Sequence, residues 1–321
     1  MARPLVCGHL PVAERMKTFP GSRPTISIIG AGRLGQALAI ALQSSGYPLL
    51  ALVARRRQKA EKAAALLGKA PGKAKSKPCA LTANQLAELP ATDLILIATP
   101  DDVIAATAQT LSTVWRGERP SAVLHTSGAL SSEVLAPLAE QGIQTGSIHP
   151  LVSISEPVSG ATALRGAFFC VEGTTKAKRL AAGIVHDLRG SSFSIKPESK
   201  ALYHAAAVMA APHLTALVDI ATEMLSACGL SKRRAQEVFL PLLESTITNL
   251  QTSNPQQALT GTFARGDIAT VRRHLQALSR PEFAEALAVY KLLGLHSLQL
   301  AAKNGLDRER VRQIRKLLGS A

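Results

Sequence analysis

The sequence predicts a doubly wound, parallel α/β sheet followed by an all-helical domain. Three observations predict it. Short apolar, β-branched runs alternate with helical patterns as far as residue 195, a glycine-rich turn joins the first run to the first helix, and beyond Pro197 the strand signal stops. A chain of 321 residues, 46% hydrophobic and 18% charged, is long enough to bury two cores and too apolar for wholesale disorder. The expected division is a disordered basic extension over 1–24, an α/β domain over 25–197 and a helical domain over 198–321.

Residues 25–29 form a β-branched strand ending at Gly30, and 33–44 carry helix formers with a stop at Gly46. A second strand and helix follow at 49–54 and 58–67, then a basic, flexible insertion at 69–78. Further strands are predicted at 94–98, 122–125, 145–148, 167–171 and 192–195, with helices at 131–141 and 175–188 between them. After Pro197 one apolar helix is expected over 198–228, about 45 Å long at 1.5 Å per residue and kinked by Pro212. Helices are then predicted at 232–250, 256–259, 268–279, 281–304 and 308–318.

The net charge of +15 resides in three stretches, 1–24, 55–77 and 303–316, which carry +3, +8 and +4 and leave the rest of the chain neutral. With 3% aromatic residues and no stacking platform, this pattern does not make a nucleic-acid-binding protein. Cys7, Cys79, Cys170 and Cys228 are isolated from one another and from histidines at zinc-ligand spacing, which predicts reduced thiols and no metal. The most apolar stretch, 205–218, contains Pro212, His213 and Thr215, so it reads as the buried helix of a soluble protein and not as a membrane span. The first 24 residues lack the apolar region of a secretory signal. A cytoplasmic protein is expected.

Gly30-Ala31-Gly32-Arg33-Leu34-Gly35 is a G-x-G-x-x-G between a strand and a helix. There the first glycine permits the tight turn, the second lets backbone approach a pyrophosphate, and the third allows close helix packing, while the helix N-terminus supplies amide donors. The second strand ends in Ala54-Arg55-Arg56-Arg57, where an NAD site would place a carboxylate for the ribose. Guanidinium groups complement a 2′-phosphate, so the expected cofactor is NADP; a solvated basic helix start is the plainer reading of Arg57. Thr99-Pro100-Asp101-Asp102 follows a strand, with Thr99 able to bond the ribose and either aspartate able to cap the next helix. His125-Thr126-Ser127-Gly128 and His149-Pro150 follow later strands and are candidates for the nicotinamide-facing crevice. Lys200 and His204 are four apart, on one helical face, as cationic donors able to protonate the atom formed by hydride addition. Read from the pattern alone, they are a surface lysine and a satisfied core histidine.

The fingerprint, the Thr99 to Asp102 loop, His125 to Gly128, Ser147 to Pro150, Lys200 to Ala207 and Thr260 to Leu278 together resemble one family. It comprises oxidoreductases that join a Rossmann-like domain to a helical domain of unknown function, a branch similar to 6-phosphogluconate dehydrogenase, ketopantoate reductase and pyrroline-5-carboxylate reductase. The resemblance spans roughly residues 25–300. It implies NADP held by the first domain, a helical 6-phosphogluconate dehydrogenase C-terminal-like second domain, and a homodimer. Lys200, His204, Ser127 and His149 would line an interdomain cleft, with Arg265-Gly266-Asp267 nearby. The implied activity is hydride transfer between the nicotinamide and a small, anionic carbonyl or imine compound. Two departures stand out: Pro212 where the family has asparagine, and Gly261-Thr262 where it has Gly-Pro. The lost amide leaves open a non-catalytic NADP-binding sensor or scaffold.

Overall fold

The computed structural model describes residues 23–67, 77–115 and 118–319. The basic extension up to residue 22, Cys7 within it, and most of the 69–78 insertion lie outside the described residues. The chain divides into two compact units, one ending at Val208 and the other beginning at Met209.

The first unit runs β1 (Ile26–Ile29), α1 (Arg33–Ser44), β2 (Leu49–Ala54), α2 (Arg57–Leu67), β3 (Cys79–Thr82), β4 (Leu94–Ile97), α3 (Asp101–Val114) and β5 (Ala122–His125). It continues through α4 (Ala136–Ala139), β6 (Gln144–Pro150), α5 (Pro157–Ala163), β7 (Phe168–Gly173), α6 (Thr175–Asp187) and β8 (Ser191–Phe193), and α7 (Lys200–Ala210) carries the chain across the boundary at Val208. The strands form one eight-stranded sheet in the order β3-β2-β1-β4-β5-β6-β7-β8. This is the reversing order of a Rossmann-like sheet, with the switch between β1 and β4. Side chains alternate across it. Leu94 and Leu96 join the α1 and α6 residues Leu38, Leu42, Ala181 and Ile184 on one face, while Ile95 and Ile97 join Ile104, Ala108 and Leu111 of α3 on the other. Burial on both faces is why these strands read as continuous apolar runs.

Three expectations need correction. The sheet is not wholly parallel, because β7 runs antiparallel to β6. The chain leaves β6 and returns at the same edge, where Leu151 N–H donates to Phe168 O at 2.9 Å, so no crossover to the far edge intervenes. The helix expected over 131–141 is a 3-10 turn, Ser132–Leu135, followed by the single turn α4, since Pro137 withholds a backbone donor. Third, β3 and α5 form where no element is expected, because their few residues carry too little periodicity.

The second unit is α8 (Pro212–Ala227), α9 (Lys232–Thr252), α10 (Pro255–Ala258), α11 (Gly261–Ala264), α12 (Ile268–Leu278), α13 (Ala284–Lys303) and α14 (Arg308–Gly319). Its small core joins Val271, Leu298, Ile314 and Leu318 to Phe263 and Tyr290. The helix after Pro197 breaks at Ala211, whose φ of −126° and ψ of −68° leave the helical range before Pro212 opens α8. Residues 205–218 are not buried as expected. The span Pro197–Ala227 has the length and apolarity of a membrane helix, yet only 6% of its most apolar window lies inside the fold. Apolarity in a sequence does not say what covers it.

Candidate functional site

Register places the candidate residues of the first unit along one edge. Ile29 of β1 pairs with Ile97 of β4, Ile97 with His125 of β5, and His125 with Ser147 of β6. Gly30, Thr99, Thr126 to Gly128 and His149 therefore all emerge where these parallel strands end. In an open α/β sheet that edge carries the ligand crevice.

At Gly30 φ is +116°, and a Cβ there would collide with the Ala98 carbonyl; at Gly35 it would collide with the Gly30 carbonyl. Both glycines are required by the packing of the turn itself. The N–H groups of Gly30 and Ala31 are spent on Val53 O, at 2.9 and 3.1 Å, and Gln36 Nε2 donates to Ala31 O at 2.9 Å. Gly32 differs: a Cβ built on it meets nothing within 4 Å. No described protein atom requires a glycine there, whereas a pyrophosphate approaching the backbone would. Leu34 packs against the core and Arg33 is exposed. Beside the turn, Thr99 Oγ1 is buried with no partner, an orphan that a ribose hydroxyl would satisfy. Pro100 is the N-cap residue of α3. Arg55 and Arg56 are exposed after β2, while Arg57 pairs with Glu61 at 3.0 Å. The residues present fit a nicotinamide dinucleotide.

The polar candidates converge further along the edge. His125 is fully buried; its Nδ1 accepts from Ser127 N–H at 3.2 Å and its Nε2–H donates to Ser131 O at 3.1 Å. Burial, reinforced by the Lys200 charge, pushes it down to about 4. The Ser127 hydroxyl donates to Asp101 Oδ2 at 2.8 Å and accepts from the N–H groups of Ala129 and Leu130 at 3.1 and 3.0 Å. It thus latches the β5 loop to the start of α3.

From α7, the Tyr203 hydroxyl meets His149 Nδ1 at 2.7 Å, and the His204 ring stands edge-on to His149 with centroids 5.6 Å apart. His149 is also pushed down to about 4, first by burial and then by the positive charge of Lys200. His204 Nδ1 is buried without a partner. Gly128 makes room for both rings: a Cβ there would collide with His204 Nδ1 and lie 2.8 Å from His149 Nε2. Lys200 is 1% exposed, and its Nζ donates to Ser127 O at 3.0 Å and to Ser147 Oγ at 3.1 Å. Burial lowers its pKa, opposed by Cys170, Glu172 and Asp101.

Sequence reasoning passed over Glu172. It is 4% exposed in the middle of the edge network, and the available signal was a lone carboxylate inside the apolar strand FFCVEG. In the second unit, Arg265-Gly266-Asp267 forms the turn into α12. There Gly266 has φ +63° and the Asp267 carboxylate caps Thr270 N–H at 3.0 Å, which accounts for both residues locally. No group of three or more histidine, cysteine, aspartate or glutamate side chains is placed to hold a metal among the described residues.

Fold and edge together define a Rossmann-like sheet followed by a helical unit. The chain combines a Rossmann-like domain, matched over residues 13–150, with a domain of unknown function, DUF2520, matched over 167–297. The second match begins just before β7, so it takes in Glu172, Lys200 and His204 as well as the helices. No protein of curated function matches the sequence. Among solved structures, a Bacteroides fragilis protein provisionally named an NADP oxidoreductase is similar over 86% of this chain and 98% of its own, with TM-score 0.69 and 22% identity. A pyrroline-5-carboxylate reductase from Streptococcus pyogenes covers 91% of this chain and 98% of its own, with TM-score 0.57 and 16% identity. A reductive aminase from Aspergillus terreus in complex with NADPH covers 92% and 99%, with TM-score 0.58 and 18% identity. These likenesses establish the shared fold.

Proposed function

We propose that this chain is an NADP-dependent reductase that adds hydride to a small, anionic carbonyl or imine compound. One observation carries the reading. A glycine turn with an open Gly32 and an orphan Thr99 Oγ1 shares its sheet edge with a buried lysine amine and two packed histidines. The names of the fold relatives, a reductase of an imine carboxylate and a reductive aminase with NADPH, favour the same chemistry.

Gly30 to Gly35 and Thr99 would hold the dinucleotide, with Pro100 ending that wall. Arg55 and Arg56 lie where a 2′-phosphate would be read, and favour NADP over NAD. The bound cofactor supplies the hydride. This chain's residues then manage the charge that develops on the substrate oxygen or nitrogen. His125 and His149 are neutral near pH 7, since both are held near 4, so they orient neighbours and donate no proton there. Lys200 supplies positive charge, and His204, with an unsatisfied ring nitrogen, supplies the adjoining donor. The Ser127 proton is engaged by Asp101, which gives that serine the role of holding the loop.

The partner we infer is a second copy. Leu214 and Leu217 of α8, Val238, Leu240, Leu242, Ile247 and Leu250 of α9, and Leu292 and Leu293 of α13 are all exposed, more apolar surface than a lone soluble chain leaves open. Light scattering at micromolar concentration should give a dimer.

The function is tested by calorimetry with NADPH and NADH, followed by NADPH oxidation across a panel of 2-oxo acids and cyclic imine carboxylates. Preferential NADPH binding with turnover of at least one anionic compound is expected. Preference for NADH contradicts the cofactor assignment, and tight NADPH binding with no turnover across the panel returns the sensor alternative.

A further inference from the structure

The antiparallel turn-back of β7 sets Glu172 directly opposite Ser147 of β6. Their side chains fall on one face of the sheet, and Ser147 Oγ reaches Glu172 Oε2 at 3.3 Å. The same Ser147 oxygen accepts from Lys200 Nζ at 3.1 Å. A hydroxyl has one proton to give and lone pairs to receive, so the directions are determined: the ammonium donates to Ser147 and Ser147 donates to the carboxylate. The other contacts on Glu172 are also donors. Ser132 N–H gives to Oε2 at 2.8 Å and Ser132 Oγ to Oε1 at 2.7 Å.

Lys200 and Glu172 are 1% and 4% exposed, and neither has a direct salt bridge among the described residues. An isolated buried ammonium loses several kcal/mol of hydration unless a counter-charge and hydrogen bonds offset it. Every element around Lys200 contributes a titratable group. Asp101 comes from α3, His125 from β5, His149 from β6, Cys170 and Glu172 from β7, and Tyr203 from α7 itself, its ring centroid 5.9 Å from Nζ. Both histidines are neutral, burial raises the Cys170 thiol, and burial likewise raises the Tyr203 phenol. That leaves two carboxylates. Asp101 is exposed and engaged by Ser127, so Glu172 is the buried one.

We propose that Glu172 is a positioning residue for the reductase site: through Ser147 it keeps Lys200 an ammonium and fixes its orientation, leaving the third N–H for the reacting edge. The proposal rests on the reductase reading for its purpose and on the Lys200–Ser147–Glu172 chain for its substance. It explains why a carboxylate sits inside an apolar strand. It also gives β7 a chemical role, since its antiparallel register sets that group opposite Ser147.

The test is the titration of Lys200 in the full-length protein, followed by NMR of isotope-labelled lysine ε positions and assigned by loss of the signal in Lys200→Met. Wild-type Lys200 should be protonated at pH 7. In Glu172→Gln it should lose its proton at least about one pH unit lower, a tenfold fall in proton affinity, with Glu172→Asp intermediate. Ser147→Ala keeps both Ser132 contacts to the carboxylate and should move Lys200 the same way, so it serves if Glu172→Gln does not fold. Once a turnover assay exists, the pH at which activity falls on the basic side should move down with the lysine. An unchanged Lys200 titration in both variants, or a neutral lysine in the wild type at pH 7, overturns the proposal. A shifted titration with no turnover on any substrate leaves the relay standing and removes the reductase reading instead.

Discussion

The two halves of the candidate edge are built on opposite principles. At the β1 and β4 end, space and backbone do the selecting: glycines at 30 and 35 avoid collisions, Gly32 stays open, and an uncommitted Thr99 hydroxyl waits beside them. At the β5 to β7 end, almost every polar atom already has a protein partner, and Lys200, Ser147, Glu172, Ser132, Ser127 and Asp101 form one connected set. A surface kept open suits a large ligand that brings its own hydrogen-bonding groups. A saturated, low-dielectric network suits holding a charge in place, because a buried polar group without its partner is costly. The expectation is that mutations in the first half change binding, and mutations in the second change stability and turnover.

The largest expected effect belongs to the saturated half and is read in acid. His125 is held near 4 against about 6.5 in an unfolded chain, with burial the main cause. The unfolded state therefore binds more protons between those values, so the stabilisation is present above about pH 6.5 and is lost as pH falls toward 4. The loss should approach about 3 kcal/mol for this one residue, at about 1.4 kcal/mol per pH unit. Urea denaturation from pH 7 to 4 checks it. His125→Gln should flatten that part of the curve, and an equally steep fall in the variant would exclude His125 as the source.

Next in size is Lys200→Met, which keeps the length of the side chain and removes its charge. With a substrate in hand, turnover should fall by about 10² while NADPH affinity stays within about twofold. If affinity falls and turnover does not, the two halves have exchanged roles. Smaller again is Arg55→Ala: NADPH affinity should drop about tenfold and NADH affinity hardly at all, as one charge-assisted contact warrants. Equal losses for both cofactors would place the arginine elsewhere than on the 2′-phosphate.

The open half was far more legible in the sequence than the saturated half. Thr25 to Ile29 followed by G-x-G-x-x-G specifies strand, turn and helix locally, and local signals survive in a linear sequence. Lys200, His204, His149 and Ser127 were recognisable as chemistry-bearing residues, but the contacts of Lys200 were not, because Ser127 and Ser147 lie 73 and 53 residues from it along the chain. The direction of β7 was hidden, since a strand's residues fix its pleat and not its polarity. Glu172 was hidden with it. In the second unit the break at Pro212 could be read and the exposure of Leu214 and Leu217 could not, for the former is a property of one backbone bond and the latter depends on what the chain meets.

The account rests most heavily on a dinucleotide seated against Gly32, the one fingerprint glycine whose Cβ would touch no protein atom. Calorimetric titration of NADPH into wild type and Gly32→Ala, with melting temperatures of the unliganded proteins measured alongside, tests it directly. The two proteins should melt within about 4 °C of each other, because a half-buried alanine there meets no described protein atom and exchanging the N-cap glycine of α1 costs about 1 kcal/mol at most. NADPH should bind the wild type and bind the alanine variant at least about tenfold more weakly, as lost backbone approach to the pyrophosphate requires. Equal NADPH affinity in the two proteins, or no NADPH binding by the wild type, would contradict the assignment of this edge to a nicotinamide dinucleotide.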